Sequence, residues 1–369
     1  MVFQNNTYYS ALQRTGLIVM KVGIIGCGGI APAHVQVYKG LRDVEVSSVC
    51  DLNLERAKSL AHKFKIDKIY SDYWSMFEKE HLDLVDICTP VTTHAQLVCD
   101  AAETIPAILV EKPMALNVSE CDKMIEAVHR HARKLCIGHS QIFSPHIQRA
   151  KSMVDSGAIK LYSFRTTLKA SFETLKAYNL APAWNVLPEQ KGIIWEVCCH
   201  HAYLQLHFLP DIQEVYAVGS KVKYPVYDDF AVLLRTKGLQ FGIIELSWIQ
   251  RETEVLYELK DANGRRFQIY WEYNYMLENA EDPPFTVGGV ARNIFVDQKR
   301  LWQKWVKFGS SYFRKRKLLP AVVLIGGYIE AIKKDLPSPV TPEEGRNTIN
   351  LLESIEKSLD EKRAIQLKH

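Results

Sequence analysis

Several features are missing from this sequence of 369 residues, and each absence excludes a class of protein. No apolar stretch reaches the roughly 20 residues that a membrane-spanning helix needs. The eight cysteines form neither paired C-x-x-C motifs nor a disulfide framework, so we expect a reducing, cytoplasmic location. The formal net charge of +4 is too small to indicate a nucleic-acid partner. The sequence also lacks internal repeats and low-complexity segments.

The remaining pattern predicts two domains and an α/β fold. Apolar residues make up 47% of the chain and charged residues 24%, as is typical of globular proteins. Strand and helix patterns alternate through residues 20–140, which predicts a Rossmann-type, doubly wound parallel sheet. Longer alternating runs predict an α+β domain for substrate binding and oligomerisation over residues 141–341, with a large, mainly antiparallel sheet. Residues 342–369 are expected to hold a final helix that packs back on the body, and residues 1–19 a disordered extension.

A glycine-rich turn follows the first predicted strand and opens a helix: Gly26-Cys27-Gly28-Gly29-Ile30-Ala31. Gly26 permits the tight turn, and Gly28 lets the backbone approach a pyrophosphate resting on the helix N-terminus. Asp51 ends the next apolar run, close to the expected spacing of about 20 residues. Its carboxylate would accept hydrogen bonds from a ribose diol and repel a 2′-phosphate. We therefore predict a dinucleotide site that prefers NAD, with Gly26, Gly28, Gly29, Ile30 and Asp51 among its residues.

Two further motifs end predicted strands at the carboxyl edge of the sheet, where open α/β sheets bind ligands. They are Thr89-Pro90 and Glu111-Lys112-Pro113. The backbone of Lys112 is held between a buried strand and a proline. Its ammonium group could hydrogen-bond a hydroxyl under oxidation and stabilise the developing alkoxide. The alternative is an ordinary surface lysine in a loop.

A titratable stripe falls in the second half of the chain. On a helix over residues 192–208, the side chains of Glu196, His200, Tyr203 and His207 would share one face. Histidine exchanges protons near neutral pH, and a carboxylate can orient it. We predict that His200 transfers the proton with Glu196 as its partner. Satisfied polar residues at a domain seam are the alternative, which we favour for His207 and for the neighbouring His201.

Zinc binding is a further alternative for this stretch, because carboxylate, imidazole and thiolate groups all bind zinc. Glu196, His200 and a cysteine or a second histidine would be its ligands. Adjacent cysteines, as in Cys198-Cys199, give poor ligand geometry, and no recognised zinc motif is present. We therefore predict no metal.

From about Lys21 to the last helix, the chain resembles the Gfo/Idh/MocA oxidoreductases, the glucose–fructose oxidoreductase and inositol dehydrogenase group. The resemblance rests on the glycine-rich turn, Asp51, Thr89-Pro90 with His94, Glu111-Lys112-Pro113, Gly138-His139, Phe143-Ser144-Pro145, Trp184 to Pro188, and Glu196 to His200. It implies that Lys112 orients the substrate and His200 transfers the proton. It also implies cofactor contacts from Thr89, Pro90, His94, Glu111 and Lys112, and substrate contacts from Trp184 and Tyr203.

The chain departs from this family's pattern at four positions. The motif D-x-G-x-H reads Glu196-Val197-Cys198-Cys199-His200, so glutamate replaces aspartate and cysteine replaces glycine. Tyr203 stands where an aspartate often follows the histidine, and Ile142 stands where an arginine commonly precedes the junction phenylalanine. These changes are compatible with hydride chemistry but predict a sugar-binding pattern unlike the usual one.

The expected function is hydride transfer between NAD(H) and a hydroxyl or keto carbon of a sugar, cyclitol or sugar derivative. An NAD-dependent glycosidase that uses transient oxidation and elimination is one alternative, and a non-catalytic dinucleotide- or sugar-sensing protein is another. The resemblance implies a homodimer or homotetramer. Residues 299–317 mix lysine and arginine with aromatic residues. We expect a solvated helix there, with an anionic ligand or a membrane surface as the alternative, which would favour a nucleotide- or lipid-linked sugar.

Overall fold

The computed structural model describes residues 19–177, 186–188, 191–270, 275–279 and 319–367. These residues divide into two compact units. The first contains the described residues up to Ser140 and those from residue 319 to Ile349. The second contains the described residues from Gln141 to residue 279 and those from Asn350 onward. Trp184, residues 1–18 and residues 299–317, on which predictions were made above, lie outside the described residues.

A parallel sheet of six strands forms the centre of the first unit. Its strands are β1 (Met20–Ile25), β2 (Val44–Cys50), β3 (Lys68–Tyr70), β4 (Leu84–Ile87), β5 (Ala107–Val110) and β6 (Lys134–Ile137). They lie in the order β3-β2-β1-β4-β5-β6, and all five pairings are parallel. The order reverses between β1 and β4, which is the topological switch point of a doubly wound sheet. The predicted Rossmann fold is confirmed.

Helices connect these strands as crossovers. They are α1 (Ala31–Tyr38), α2 (Leu54–Phe64), α3 (Tyr73–Lys79), α4 (His94–Thr104) and α5 (Val118–Arg130). Asn53 caps α2 by accepting hydrogen bonds from the amides of Glu55 and Arg56, and Asn117 caps α5 through the amide of Glu120. β4 and β5 are buried along their whole length, as the continuous apolar runs predict, except that β4 carries the fully buried carboxylate Asp86.

A mostly antiparallel sheet organises the second unit. Its strands are β7 (Leu161–Ser171), β8 (Ile212–Ser220), β9 (Asp229–Thr236), β10 (Phe241–Ser247), β11 (Ile249–Asp261), β12 (Arg266–Tyr270), β13 (Tyr275–Asn279) and β14 (Ile365–Gln366). The described strands form one sheet of eight in the order β13-β12-β11-β7-β10-β9-β8-β14. Only the central β7–β10 pair among them is parallel. This confirms the predicted mainly antiparallel sheet, with the Asn263-Gly264 turn between β11 and β12.

The helices of the second unit include one departure from the sequence-based prediction. They are α6 (Pro145–Asp155), α7 (Phe172–Ala177), α8 (Gly192–Glu196) and α9 (Cys198–Phe208). The helix predicted over 192–208 is therefore two helices that meet at Val197. The amide of His200 bonds to the carbonyl of Val197, three residues back, at 3.0 Å. This tighter turn breaks the regular helical spacing between Glu196 and His200.

Two further helices follow, α10 (Leu319–Lys334) and α11 (Pro342–Glu361). α11 lies within residues 342–369, where the final helix was predicted, whereas α10 was not predicted. The hydroxyl of Tyr328 on α10 donates to the carbonyl of Ile108 in β5 at 2.9 Å, which fixes α10 in the first unit. Among the described residues, no helix is both long enough and apolar enough to span a membrane.

Candidate active site

The glycine-rich turn after β1 has two kinds of glycine. Gly26 has φ of +90°, and a Cβ there would lie 2.8 Å from the backbone carbon and oxygen of Cys88, so only glycine fits. A Cβ on Gly28 or Gly29 would meet no atom of the described chain within 4 Å. Packing therefore does not explain these two glycines. The space beside them suits a pyrophosphate that approaches the backbone closely.

Asp51 holds this turn from the end of β2. Its carboxylate accepts a hydrogen bond from the amide of Cys27 and another from the amide of Asn53, each at 2.8 Å. The side chain is partly exposed, and the neighbouring Leu52 is 91% exposed. The carboxylate thus has a fixed orientation beside the turn, as binding of a ribose diol requires.

The first turn of α1 also suits an anion. Ile30 is its N-cap residue and is 43% exposed, and Ala31-Pro32 begins the helix. Within the described part of the chain, no side chain caps α1 and its first turn holds no acidic residue. Its leading amide groups therefore meet no competing carboxylate from the helix itself.

His94 connects two loops at the same sheet edge. Its Nε2 lies 2.9 Å from the carbonyl oxygen of Thr89, and its Nδ1 lies 2.9 Å from that of Pro113. The side chain is fully buried, and burial lowers its pKa although these hydrogen bonds oppose the shift. The Thr89-Pro90 loop is further closed by the hydroxyl of Thr93, which donates to the Thr89 hydroxyl at 2.8 Å. The structure therefore places His94 in the interior, where it joins the two loops.

Glu111 extends from the end of β5 into the interior of the first unit and supports the backbone of Lys112. The side chain of Glu111 is only 15% exposed, and its Oε1 lies 3.2 Å from Nε2 of His34. Its Oε2 accepts the backbone amide of Lys112 at 3.2 Å. The Lys112–Pro113 peptide bond is cis. Glu111 thus supports the backbone that carries Lys112.

Sequence reasoning missed the residues behind Glu111. His34 on α1 lies 2.8 Å from the carboxylate of Asp86 through its Nδ1, and Tyr38 donates its hydroxyl to the same carboxylate oxygen at 3.0 Å. One signal was available, because Asp86 is the single charged residue in the apolar run of β4. The distance along the chain between Asp86 and His34 hid their pairing.

The second unit orients His200 through a phenol. Nδ1 of His200 lies 2.8 Å from the hydroxyl oxygen of Tyr203, which is one turn further along α9. Tyr203 is 3% exposed, and its hydroxyl oxygen accepts the amide of Gln141 at 3.2 Å. The hydroxyl of Tyr257 donates to Oε1 of Gln141 at 3.1 Å. A partly buried chain of hydrogen bonds therefore sets the orientation of the half-buried imidazole.

The other residues of the predicted stripe lie in different surroundings. Glu196 is half-buried at the end of α8, before the break at Val197. His201 is buried, and burial lowers its pKa to about 3; burial also lowers the pKa of His207 to about 4. Cys198 and Cys199 are fully buried, and burial raises the pKa of the Cys198 thiol. All eight cysteines of the chain are free thiols.

Comparison with known proteins places both units in one family. Residues 20–139 match the model of the Gfo/Idh/MocA oxidoreductase family with its NAD-binding Rossmann fold. Residues 147–272 match the model of the Gfo/Idh/MocA C-terminal domain. The two matches together cover well over half of the chain.

Individual relatives agree with this result. Myo-inositol 2-dehydrogenase of Thermotoga maritima is 25% identical over 94% of this chain and 98% of its own. Levoglucosan dehydrogenase, solved in complex with NADH and L-sorbose, has a TM-score of 0.79 at 17% identity, over 96% of this chain and 100% of its own. An oxidoreductase of Agrobacterium radiobacter, solved in complex with NAD+, L-tartaric acid and magnesium, has a TM-score of 0.77 at 19% identity, over 94% and 98%. These two structures share the fold of this chain.

Proposed function

Because the chain belongs to the Gfo/Idh/MocA oxidoreductase family, in which the N-terminal domain binds NAD, we propose that it transfers hydride between nicotinamide and a carbinol carbon of a sugar, cyclitol or sugar derivative. The observation that carries the proposal is the Asp51 carboxylate, held by two 2.8 Å hydrogen bonds beside a glycine turn that has open space at Gly28 and Gly29. The names of the relatives, a myo-inositol dehydrogenase and a levoglucosan dehydrogenase, support the substrate class.

The residues of the first unit fit the cofactor. The turn from Gly26 to Ile30 and the N-terminus of α1 would hold the pyrophosphate, and Asp51 would accept the ribose hydroxyls. Leu52, which is 91% exposed beside Asp51, offers apolar surface to the adenine ring. NAD, when bound, supplies the hydride acceptor of the oxidation.

Two side chains of the protein would act on the substrate hydroxyl. The ammonium group of Lys112 would donate a hydrogen bond to the hydroxyl oxygen and stabilise negative charge that develops there. The imidazole of His200 would take the hydroxyl proton, because histidine accepts protons near neutral pH. The contact from Tyr203 at 2.8 Å supports this role, since it fixes the ring orientation. In the reducing direction, the same imidazole returns the proton.

Substitution of Lys112 by methionine tests the proposal. Polyols such as myo-inositol are offered with NAD and with NADP, and reduced cofactor is followed by absorbance. We expect NAD to be preferred, and Lys112→Met to lower turnover by about 10²-fold or more while the NADH dissociation constant stays within about twofold. The matched control is Lys123→Met, an exposed lysine on α5, with unchanged turnover. Equal turnover in the two variants would remove Lys112 from the reaction.

We also propose that copies of the chain associate through the outer face of the eight-stranded sheet. Tyr216 on β8 pairs in register with Leu233 on β9, which pairs with Ile243 on β10. Tyr216, Leu233 and the neighbouring Val218 are 43%, 49% and 52% exposed. A contiguous apolar patch of this kind is typical of an interface. Sedimentation analysis gives the mass, and a monomer at micromolar concentration would contradict the proposal.

A further inference from the structure

A buried array of charges connects the first helix to the segment that carries Lys112. His34 lies on the inner face of α1 and is 4% exposed. Its Nδ1 lies 2.8 Å from Asp86 in β4, and its Nε2 lies 3.2 Å from Glu111 at the end of β5. Asp86 is fully buried. One imidazole thus bridges two carboxylates on neighbouring strands.

Two flanking carboxylates favour a charged imidazole. A neutral histidine has one N–H group, whereas both ring nitrogens here face carboxylate oxygens, which only accept hydrogen bonds. Burial opposes the charge on His34, but the Asp86 carboxylate outweighs it and holds the pKa of the imidazole well above its usual range. Burial likewise opposes the charge on Glu111, and the bond from His34 outweighs it and lowers the pKa of the carboxyl. The array is therefore carboxylate, imidazolium, carboxylate.

Glu111 connects this bridge to the backbone of Lys112. Its second oxygen accepts the amide of Lys112 at 3.2 Å. Gly138 also packs closely against Glu111, since a Cβ there would lie only 3.0 Å from Oε1 of Glu111. The carboxylate has little freedom to move without moving Lys112. At the other end of the bridge, α1 begins at the glycine turn.

We propose that His34 is a positioning residue for the reaction, and that its bridge between Asp86 and Glu111 holds the start of α1 and the backbone of Lys112 in one fixed arrangement. The inference rests on the proposed function, because it takes the cofactor to lie at the glycine turn and Lys112 to contact the substrate. His34 itself is buried and would contact neither the cofactor nor the substrate. All the residues of the bridge belong to the first unit.

A metal ion is the competing explanation for this array. Among the described residues, His34, Asp86 and Cys88 are the one group whose ligand atoms lie close enough together to hold an ion. Nδ1 of His34 and Oδ2 of Asp86 are, however, only 2.8 Å apart. Two ligands at ordinary zinc distances around a tetrahedral ion would be separated by about 3.3 Å. The short distance fits a direct charge-assisted hydrogen bond instead.

The test compares His34→Gln with Tyr38→Phe. Glutamine keeps hydrogen-bonding capacity but loses the charge and the two-sided reach. Phenylalanine at position 38 removes a hydroxyl from Asp86 and leaves the Glu111 side of the bridge intact. We expect both variants to melt at lower temperature. Only His34→Gln should lower kcat, by roughly 10- to 100-fold, which is the loss expected from a displacement of about 1 Å in a catalytic group.

The separate effects of the substitutions on kcat and on KM distinguish a positioning role from general destabilisation of the fold. His34→Gln should raise KM for NAD as well as lower kcat, because both ends of the bridge are released. Glu111→Gln should lower kcat similarly, and the double variant should lose much less than the product of the two single losses. Wild-type kcat in a folded His34→Gln variant, or a kcat loss in Tyr38→Phe equal to that in His34→Gln, would overturn the inference.

A measurement without turnover keeps this result distinct from the proposed function. In the wild-type protein, the ¹⁵N resonances of the His34 ring should report protonation of both nitrogens at pH 7.5. A neutral ring, or a stoichiometric metal found by elemental analysis, would overturn the bridge whatever the enzyme does. If the ring is charged but the wild-type protein neither binds NADH nor oxidises any polyol, the proposed function fails and the positioning role fails with it.

Discussion

Replacement of Asp51 by asparagine probes the cofactor site at its most defined contact. The carboxylate accepts the amides of Cys27 and Asn53, each at 2.8 Å, and its remaining acceptor capacity is available to a ribose. Asparagine keeps the shape but removes the charge and replaces one acceptor oxygen with a donor NH₂. One of the two backbone contacts is then lost along with the charge-assisted bonds to the ligand.

The magnitude follows from the type of bond. A hydrogen bond to a charged group contributes about 1.5–3 kcal/mol, so loss of the ribose contact should weaken NADH binding by roughly 10- to 150-fold. Binding of NADPH should weaken less or improve, because the repulsion between the carboxylate and a 2′-phosphate disappears. The dissociation constant of NADPH divided by that of NADH should therefore fall by at least about tenfold.

Titration of protein fluorescence with NADH and NADPH measures both constants. Asp67→Asn is a matched control, since Asp67 is an exposed aspartate in the loop between α2 and β3 of the same unit. An unchanged ratio in Asp51→Asn, together with unchanged NADH binding, would refute the assignment of Asp51 to the ribose. Weaker binding of both cofactors by the same factor would instead assign Asp51 to the shape of the turn alone.

Two other outcomes are expected from the second unit. Tyr203→Phe removes the hydroxyl that holds His200, so turnover should fall roughly three- to tenfold, which is the effect of one neutral hydrogen bond. The pH profile of turnover should shift while NADH binding stays unchanged, and an unaltered pH profile would contradict the orienting role. His201 is buried with its pKa lowered to about 3, so the unfolded chain binds its proton first and stability is lost as pH falls below about 6.5. When the pH falls from 6.5 to 5, the unfolding free energy of the wild-type protein in urea titrations should therefore decrease by up to about 2 kcal/mol more than that of His201→Leu. Equal decreases would show that His201 does not titrate in this way.

The sequence was most informative where local chemistry decides the structure. Apolar runs predict strands of the first unit at residues 21–25, 44–50, 84–88, 107–110 and 135–138, and the five strands observed there begin and end within one residue of these positions. The agreement is close because buried parallel strands are continuous apolar runs. β3 (Lys68–Tyr70) was missed, since it has only three residues and none of them is buried. α10 (Leu319–Lys334) was missed as well.

Periodicity was less reliable around His200. The prediction assumed one helix, and the break at Val197 removes the regular spacing to Glu196. The contact between His200 and Tyr203 survives because both residues lie within α9, three positions apart. The contribution of Gln141 could not be predicted, since a backbone amide donor leaves no sign in the sequence.

The contacts among the buried charges of Asp86, His34 and Glu111 could not be predicted from the sequence either. A contribution to the stability of the fold does not explain why these charges are buried. Desolvation of charged groups is so unfavourable that a well-packed apolar replacement of a buried ion pair is often neutral or stabilising. A core built only for stability would therefore continue the apolar run of β4 through position 86. What charges offer is direction, because an imidazolium between two carboxylates fixes their positions more narrowly than apolar side chains do. The array of Asp86, His34 and Glu111 lies next to the glycine turn and Lys112. An oxidoreductase that must hold its cofactor and its substrate in a fixed relative position would benefit from rigidity there.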